Sequence, residues 1–386
     1  MTGASSPPAV RAARGAYTFA VIPGDGVGEE VVREGLRVLE RASSRFGFRY
    51  ETVRYPFGAD HYLATGETMP ASVLDDVRGM DAIYLGAIGD PRVEVGLLER
   101  AIIAGLRFGL DLYVNLRPIK LYAEHLTPLK GKGPADVDFI VVRENTEDLY
   151  TGLGGIFKKG TPDEVAIGEM IFTRKGVERV IRYAFDLARA RGRARSAVAG
   201  SAAGASTATG ASAAARPPKL TLVDKANAIR IMDIWTRTFA EVGREYPDVA
   251  TDHNYVDAAT MWMVKNPEAF DTVVVSNLFG DIITDLGAMI QGGMGIAASG
   301  NIHPGKVSMF EPIHGSAPKY RGKNVANPLA AIAAVQMMLE YVGESHAAAA
   351  IEGAISELLS SGKIPSLNAG VLPTSAIGDL VLEAIR

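Results

Sequence analysis

Thr272-Val273-Val274-Val275-Ser276-Asn277-Leu278-Phe279-Gly280-Asp281-Ile282-Ile283-Thr284-Asp285-Leu286 passes from an unbroken β-branched run to a helix-opening pattern. A strand that is apolar without alternation must be covered on both faces, as parallel strands in α/β proteins are. The same pattern recurs at Tyr17–Ile22, Ala82–Leu85, Phe139–Val142 and Leu220–Val223. Amphipathic stretches lie between, such as Val32, Leu36 and Leu39, or Val177, Val180, Ile181 and Ala184. The chain therefore reads as α/β, its sheets flanked by helices. Ligands of such sheets sit beyond the carboxyl ends of the strands, so the loops there hold the functional information.

At 386 residues the chain exceeds what one core usually supports, and two domains are expected. A net charge of -4 with both signs mixed leaves no basic stripe, which argues against a nucleic-acid partner; an anionic ligand must be caught by a local group of basic residues. With no cysteine there are no disulfides, thiolate nucleophiles, iron–sulfur clusters or thiolate zinc sites. The six histidines show no metal-binding spacing, so a metal site would be made mainly of oxygen ligands and favour Mg²⁺ or Mn²⁺. No apolar run is long enough to span a bilayer, which excludes a membrane partner of that kind. Residues 1–16 are rich in Ala, Ser, Pro and Arg, lack the apolar core of a secretory signal, and read as a disordered extension of a cytoplasmic protein. Residues 194–218, nearly all Ala, Ser, Gly and Thr before Pro217-Pro218, read as a flexible insertion between a helix and a strand.

Asp281 and Asp285 are four apart and share a helical face. Two carboxylates so placed repel by roughly 0.2–0.5 kcal/mol in an isolated helix, and a divalent cation between them reverses the sign; as plain first-turn acids they would need no ligand. Asp257, in Asn254-Tyr255-Val256-Asp257, is a third candidate oxygen ligand. Lys225, in Val223-Asp224-Lys225-Ala226-Asn227, follows a strand; near a metal a lysine loses its proton more readily, as a general base requires. Arg107, Arg117 and Arg143 are guanidinium forks suited to carboxylates, with salt bridging the plainer alternative, and Tyr150 is a phenol able to donate a proton. Pro23-Gly24-Asp25-Gly26-Val27-Gly28 stands where a dinucleotide turn would, but Glu29 breaks the G-x-G-x-x-G spacing.

Seven segments in order resemble the isocitrate/isopropylmalate (β-decarboxylating) dehydrogenase family: PGDGVG from Pro23, DLYVNLRP from Asp111, VVRENTEDLYTG from Val141, VDKAN from Val223, NYVDA from Asn254, NLFGDIITDL from Asn277 and EPIHGSAPKYRGKNVANP from Glu311. The resemblance runs from about Phe19 to the C-terminus. It implies a two-domain isopropylmalate dehydrogenase-like fold that is not Rossmann, with a cleft between a large cofactor-binding domain (17–112 with 292–386) and a smaller one (113–291) that carries a dimer interface. It implies a homodimer with shared active sites: Arg107, Arg117 and Arg143 on the substrate carboxylates, Asp281 and Asp285 on the metal with Asp257 from the other subunit, Lys225 as the base, and Tyr150 as the acid. The cofactor's adenosine part would fall to His314, Gly315, Ser316, Ala317, Lys319, Tyr320 and Asn327.

Within that family the run before Arg107 sets the substrate, and Ala101 and Ile103 stand where isocitrate enzymes place Ser and Asn. An apolar wall leaves a charge unpaired and accepts an isopropyl group, which points to 3-isopropylmalate, its product 2-oxoisocaproate, and leucine biosynthesis. Isocitrate, homoisocitrate, tartrate and D-malate are the alternatives inside the family, and Glu144-Asn145-Thr146-Glu147-Asp148 is more like isocitrate enzymes. NAD⁺ is the habit of isopropylmalate enzymes, yet Lys319-Tyr320 stands where NAD⁺-dependent members carry Asp and an apolar residue, so NADP⁺ is expected at least to be accepted. From another class, a Mg²⁺-dependent phosphoryl-transfer enzyme or an anion-binding protein would share the carboxylates and arginines, but there is no G-x-x-x-x-G-K-[ST] loop.

Overall fold

The computed structural model describes residues 10–203 and 217–386. Of the described residues, Phe139–Ile283 forms one compact unit, and residues 10–138 with Thr284–Arg386 form the other. The sequence reading sets this division at 112/113 and 291/292.

The outer unit opens with β1 (Ala16–Gly24), α1 (Gly28–Phe46), β2 (Arg49–Arg54), α2 (Ala59–Thr65), α3 (Ser72–Arg78) and β3 (Ala82–Ala87). A π-helical turn, Glu99–Ala104, then runs into α4 (Gly105–Gly109) and β4 (Val114–Lys120). The inner unit holds β5 (Asp138–Glu144), β6 (Gly154–Phe157), β7 (Val165–Gly168), α5 (Arg174–Ala203), β8 (Lys219–Asp224), α6 (Asp233–Gly243), β9 (Ala250–Tyr255), α7 (Val256–Lys265) and β10 (Thr272–Val275). After α8 (Asn277–Ile290), the outer unit resumes with β11 (Ala298–Ile302), β12 (Met309–Pro312), α9 (Leu329–Tyr341), α10 (Ser345–Ser360) and α11 (Thr374–Ala384).

The outer strands run in the order β2-β1-β3-β12-β11-β4. They are parallel from β2 to β12, while β11 is antiparallel to both its neighbours. In the inner unit β5-β10-β8-β9 is wholly parallel, and β6 and β7 form a separate antiparallel hairpin. β10 is flanked by β5 and β8, and its Val273–Val275 are fully buried, as the absence of alternation requires. α9 is buried almost all round because its alanines let α1 and α10 approach closely.

Two expectations meet a different structure. α5 continues to Ala203, well into the run taken as a flexible insertion, because alanine has the highest helix propensity. Arg195 in that stretch pairs with Asp271 at 2.6 Å. The remainder of the insertion, 204–216, lies outside the described residues, as do residues 1–9. The described end of the N-terminal extension is tied down: Arg11 N–H donates to Tyr341 O at 2.8 Å, and the guanidinium groups of Arg11 and Arg14 both face the buried Asp81 carboxylate. Among the described residues no helix is long and apolar enough to cross a membrane.

Candidate active site

In the inner unit β5 ends on Arg143, whose side chain is buried although fully charged. Its Nε and Nη2 donate to Asn277 Oδ1 at 3.0 and 2.7 Å, and Nη1 donates to Asp281 Oδ1. Asn277 and Asp281 face it together because they are four apart on α8. Gly280 makes room for this: a Cβ there would lie 2.8 Å from Arg143 Cβ. Tyr150, in the short turn after β5, donates to Asp281 Oδ2 at 2.8 Å, and the Arg143 guanidinium stands 5.3 Å from the centre of its ring. Asp285 lies a further turn along α8 and is exposed.

Lys225 follows β8 and Asp257 opens α7, and their side chains meet at 2.7 Å. The hydrogen bond from Lys225 holds the exposed Asp257 carboxyl below the usual carboxylate range, so it is ionised at neutral pH. Among the described residues of this single chain, no three His, Cys, Asp or Glu side chains gather closely enough to hold a metal ion.

In the outer unit Arg107 lies on α4 and donates through Nη2 to Glu311 Oε1 at 3.0 Å. Glu311 also accepts from Asn301 Nδ2 at 2.8 Å and Ser299 Oγ at 3.3 Å. Asn115 Nδ2 donates to Asn301 Oδ1 at 2.9 Å, and Arg117 Nε donates to Asn115 Oδ1 at 2.7 Å. A buried polar chain across β12, β11 and β4 thus ties Arg107 to Arg117. Arg107 Nε is buried with no hydrogen-bond partner among the described residues. The sequence reading passed over Glu311, Asn115 and Asn301 as members of this chain. Their signal was polar residues two apart on otherwise apolar strands: Asn115 with Arg117, and Ser299 with Asn301. Ile103 sits half-buried in the π-helical turn and packs against the core formed by Leu98, Ile102 and Leu106.

The glycine turn after β1 is occupied by the protein itself. Asp25 N–H donates to Ala87 O at 2.6 Å, Val27 N–H to Ser316 O at 2.8 Å and Gly28 N–H to Asp25 O at 2.8 Å. Gly24 and Gly26 have φ of +74° and +57°, and a Cβ on Gly26 would collide with Ser316 O. With these donors used, the turn does not offer a phosphate cradle; it braces the loop that carries Ser316. Asp25, another residue the sequence reading did not single out, is buried, and its carboxylate accepts Ala59 N–H at 2.6 Å and Gly89 N–H at 2.8 Å while burial raises its pKa.

On and near the braced loop, His314 Nε2 and Asn327 Nδ2 are buried without hydrogen-bond partners among the described residues. His314 Nδ1 lies 3.0 Å from Gly315 O, which assigns the ring proton to Nδ1, and burial depresses the imidazole pKa so the ring stays neutral. His314 Nε2 is then an acceptor and Asn327 Nδ2 a donor, each unsatisfied among the described residues. Asn327 Oδ1 meanwhile accepts Leu329 N–H at 3.0 Å. Gly315, Ser316 and Ala317 line a cavity of about 360 Å³ together with Gly89, Leu98 and Glu99. Lys319 is exposed, its Nζ 4.7 Å above the Tyr320 ring.

Carboxylates on α8, arginines held by hydrogen bonds and a loop of small residues are thus placed within the two units. The sequence profile described as isocitrate/isopropylmalate dehydrogenase matches residues 18–202 and 204–381, and the chain belongs to that family. It is 48% identical to the 3-isopropylmalate dehydrogenase of Thermobifida fusca over 371 residues, 95% of this chain and 97% of the relative. The enzyme of that name from Streptomyces coelicolor is 47% identical over 95% of this chain and 98% of its own. Among solved structures, the isocitrate dehydrogenase of Methylococcus capsulatus superposes with a TM-score of 0.79 at 34% identity, covering 96% of this chain and 99% of that one. A beta-decarboxylating dehydrogenase from Thermococcus kodakarensis gives 0.71 at 30% identity, covering 96% of each.

Proposed function

We infer that this chain catalyses the metal-dependent oxidative decarboxylation of 3-isopropylmalate to 2-oxoisocaproate, a step of leucine biosynthesis, with hydride passing to NAD⁺ or NADP⁺. The observation that carries the reading is the Arg143–Asp281–Tyr150 group, in which a guanidinium and a phenol each hydrogen-bond to the same helix carboxylate. Similarity to enzymes named 3-isopropylmalate dehydrogenase over 95% of the chain supports the substrate. A cytoplasmic location is part of this proposal, as the sequence reading expects.

Arg107, Arg117 and Arg143 would hold the substrate's carboxylates, with Ile103 on the side of its alkyl group. The partnerless Arg107 Nε fits this, because an unpaired buried donor costs about 1–3 kcal/mol until an acceptor arrives. Asp281 and Asp285, with Asp257 of the partner subunit, would hold Mg²⁺ or Mn²⁺, an all-oxygen set that suits either ion. When bound, such an ion supplies positive charge that acidifies the substrate hydroxyl and stabilises the enolate left after CO₂ departs. Lys225 Nζ, acting across the subunit boundary, would accept the hydroxyl proton, and Tyr150 OH would deliver a proton to the enolate carbon. Exposed Ile156, Phe157 and Ile167 on the β6–β7 hairpin, and Met261 and Trp262 on α7, support a homodimer.

For the cofactor, His314 Nε2 and Asn327 Nδ2 offer one acceptor and one donor, which suits an adenine edge, and Gly315, Ser316 and Ala317 admit it closely. Lys319 with Tyr320 favours a 2′-phosphate, hence acceptance of NADP⁺. Isocitrate is the second reading, favoured by the Glu144–Asp148 run and by the solved isocitrate dehydrogenase. Reduction of either cofactor by the purified protein should be fastest with 3-isopropylmalate among a panel that includes isocitrate, malate and tartrate. It should stop when a chelator is added. Faster turnover of isocitrate would overturn the substrate, and no turnover of any hydroxy acid would overturn the reaction.

A further inference from the structure

Asp148 is an anomaly of the inner unit. It is fully buried and adopts φ +72°, the left-handed region that favours glycine. A non-glycine residue held there costs on the order of 1 kcal/mol and persists only when its surroundings fix it. Those surroundings are specific. Its carboxylate Oδ2 accepts Leu278 N–H at 3.0 Å, and its Oδ1 accepts Leu149 N–H at 2.9 Å. Its own N–H donates to Ile171 O at 2.9 Å.

Leu278 is in the first turn of α8, where N–H groups have no partner within the helix and a negative charge is favoured. The carboxylate that satisfies it comes from a residue two before Tyr150, in the short turn Asp148–Thr151. One side chain therefore fastens the turn that carries the phenol to the start of the helix that carries Asp281 one turn further on. Its neighbours reinforce this: Asn277 Nδ2 donates to Glu147 O at 3.1 Å, and the Glu147 carboxylate accepts Thr173 N–H at 2.9 Å.

We propose that Asp148 is a positioning residue that sets the Tyr150 hydroxyl against Asp281 by tying the 148–151 turn to the start of α8. In kinetic form the proposal rests on the dehydrogenase reading above; in structural form it does not. The discriminating variant is Asp148→Gly, which accepts φ +72° without strain while removing the carboxylate. Asp148→Asn tolerates the left-handed region and keeps one acceptor oxygen, which serves Leu278 N–H at the expense of the local bond from Leu149 N–H.

Two measurements test it. Hydrogen exchange should quicken together in peptides covering 146–152 and 277–283 of Asp148→Gly, with the rest of the chain unchanged and Asp148→Asn close to wild type at 277–283. Under turnover, Asp148→Gly should lose about 10- to 100-fold in kcat with little change in KM for the hydroxy acid, and Asp148→Asn should restore most of it. Combined with Tyr150→Phe, Asp148→Gly should add little further loss, because both act through one phenol. Unchanged exchange at 277–283 overturns the coupling. Losses that simply multiply overturn the route through Tyr150. Inactivity of the wild-type protein with every hydroxy acid would sink the dehydrogenase reading, while the exchange result would still decide the coupling.

Discussion

Asp281 accepts from Arg143 on one oxygen and from Tyr150 on the other, so this one carboxylate orders both a cation and a phenol. Asp281→Asn should abolish metal-dependent turnover while leaving the melting temperature within a few degrees, since the side chain is half exposed and Arg143 keeps Asn277. Calorimetry beside turnover assays checks this, and wild-type activity in the variant would refute the role. Lys319 offers a second test at the same scale. A carboxylate at that exposed position would repel a 2′-phosphate and accept from ribose hydroxyls, so Lys319→Asp should lower the NADP⁺-to-NAD⁺ ratio of kcat/KM by about tenfold or more, roughly 1.4 kcal/mol per factor of ten. A ratio that does not move would show that Lys319 does not face the ribose. Arg143, Tyr150 and Asp281 were legible as candidates because residue type and position after a strand are sequence properties. Glu311, Asn115 and Asn301 were not, since their link to Arg107 exists only across three strands that meet in the fold.

At the scale of elements, the approach of β5 to α8 depends on a missing side chain. A methyl on Gly280 would press on the Arg143 stem, which is backed by buried core and has no room to retreat. Gly280→Ala should cost about 1–3 kcal/mol in urea unfolding and depress activity more than stability, because the displaced guanidinium is the one on Asp281. Unchanged stability would mean that β5 and α8 sit farther apart than this geometry requires. Strand β10 and the start of α8 were plain from the pattern of Thr272–Leu286. The reach of α5 to Ala203 was not. Low-complexity composition suggested a loop, while the high helix propensity of alanine favoured continuation.

At the scale of the whole molecule, stability should depend on pH through Glu144. This carboxyl is fully buried, and desolvation pushes it up to about 7 despite its bonds with Thr146 and the Glu147 N–H. The folded chain then binds this proton more tightly than the unfolded chain, whose carboxyl titrates near 4.5. Its favourable contribution is complete below about pH 4.5 and is lost as pH rises through about 7, a change of about 3 kcal/mol. Urea unfolding between pH 5 and 8 should show that decline, and Glu144→Gln should flatten it; an unchanged slope would assign the decline to other groups. Such a carboxyl cannot be recognised from sequence, because burial is a property of the packed chain. What the sequence determined by itself was the α/β alternation, the absence of thiol chemistry and the residue types able to bind acids and metals, all set by local pattern and composition. Only the tertiary structure decided which of them meet. It placed Arg143 and Tyr150 on Asp281, gave Arg107 to Glu311, and made the glycine loop that stands where a dinucleotide turn would a brace for Ser316. Hydrogen bonds and ion pairs act over a few ångströms, and only folding brings residues more than a hundred positions apart within that range.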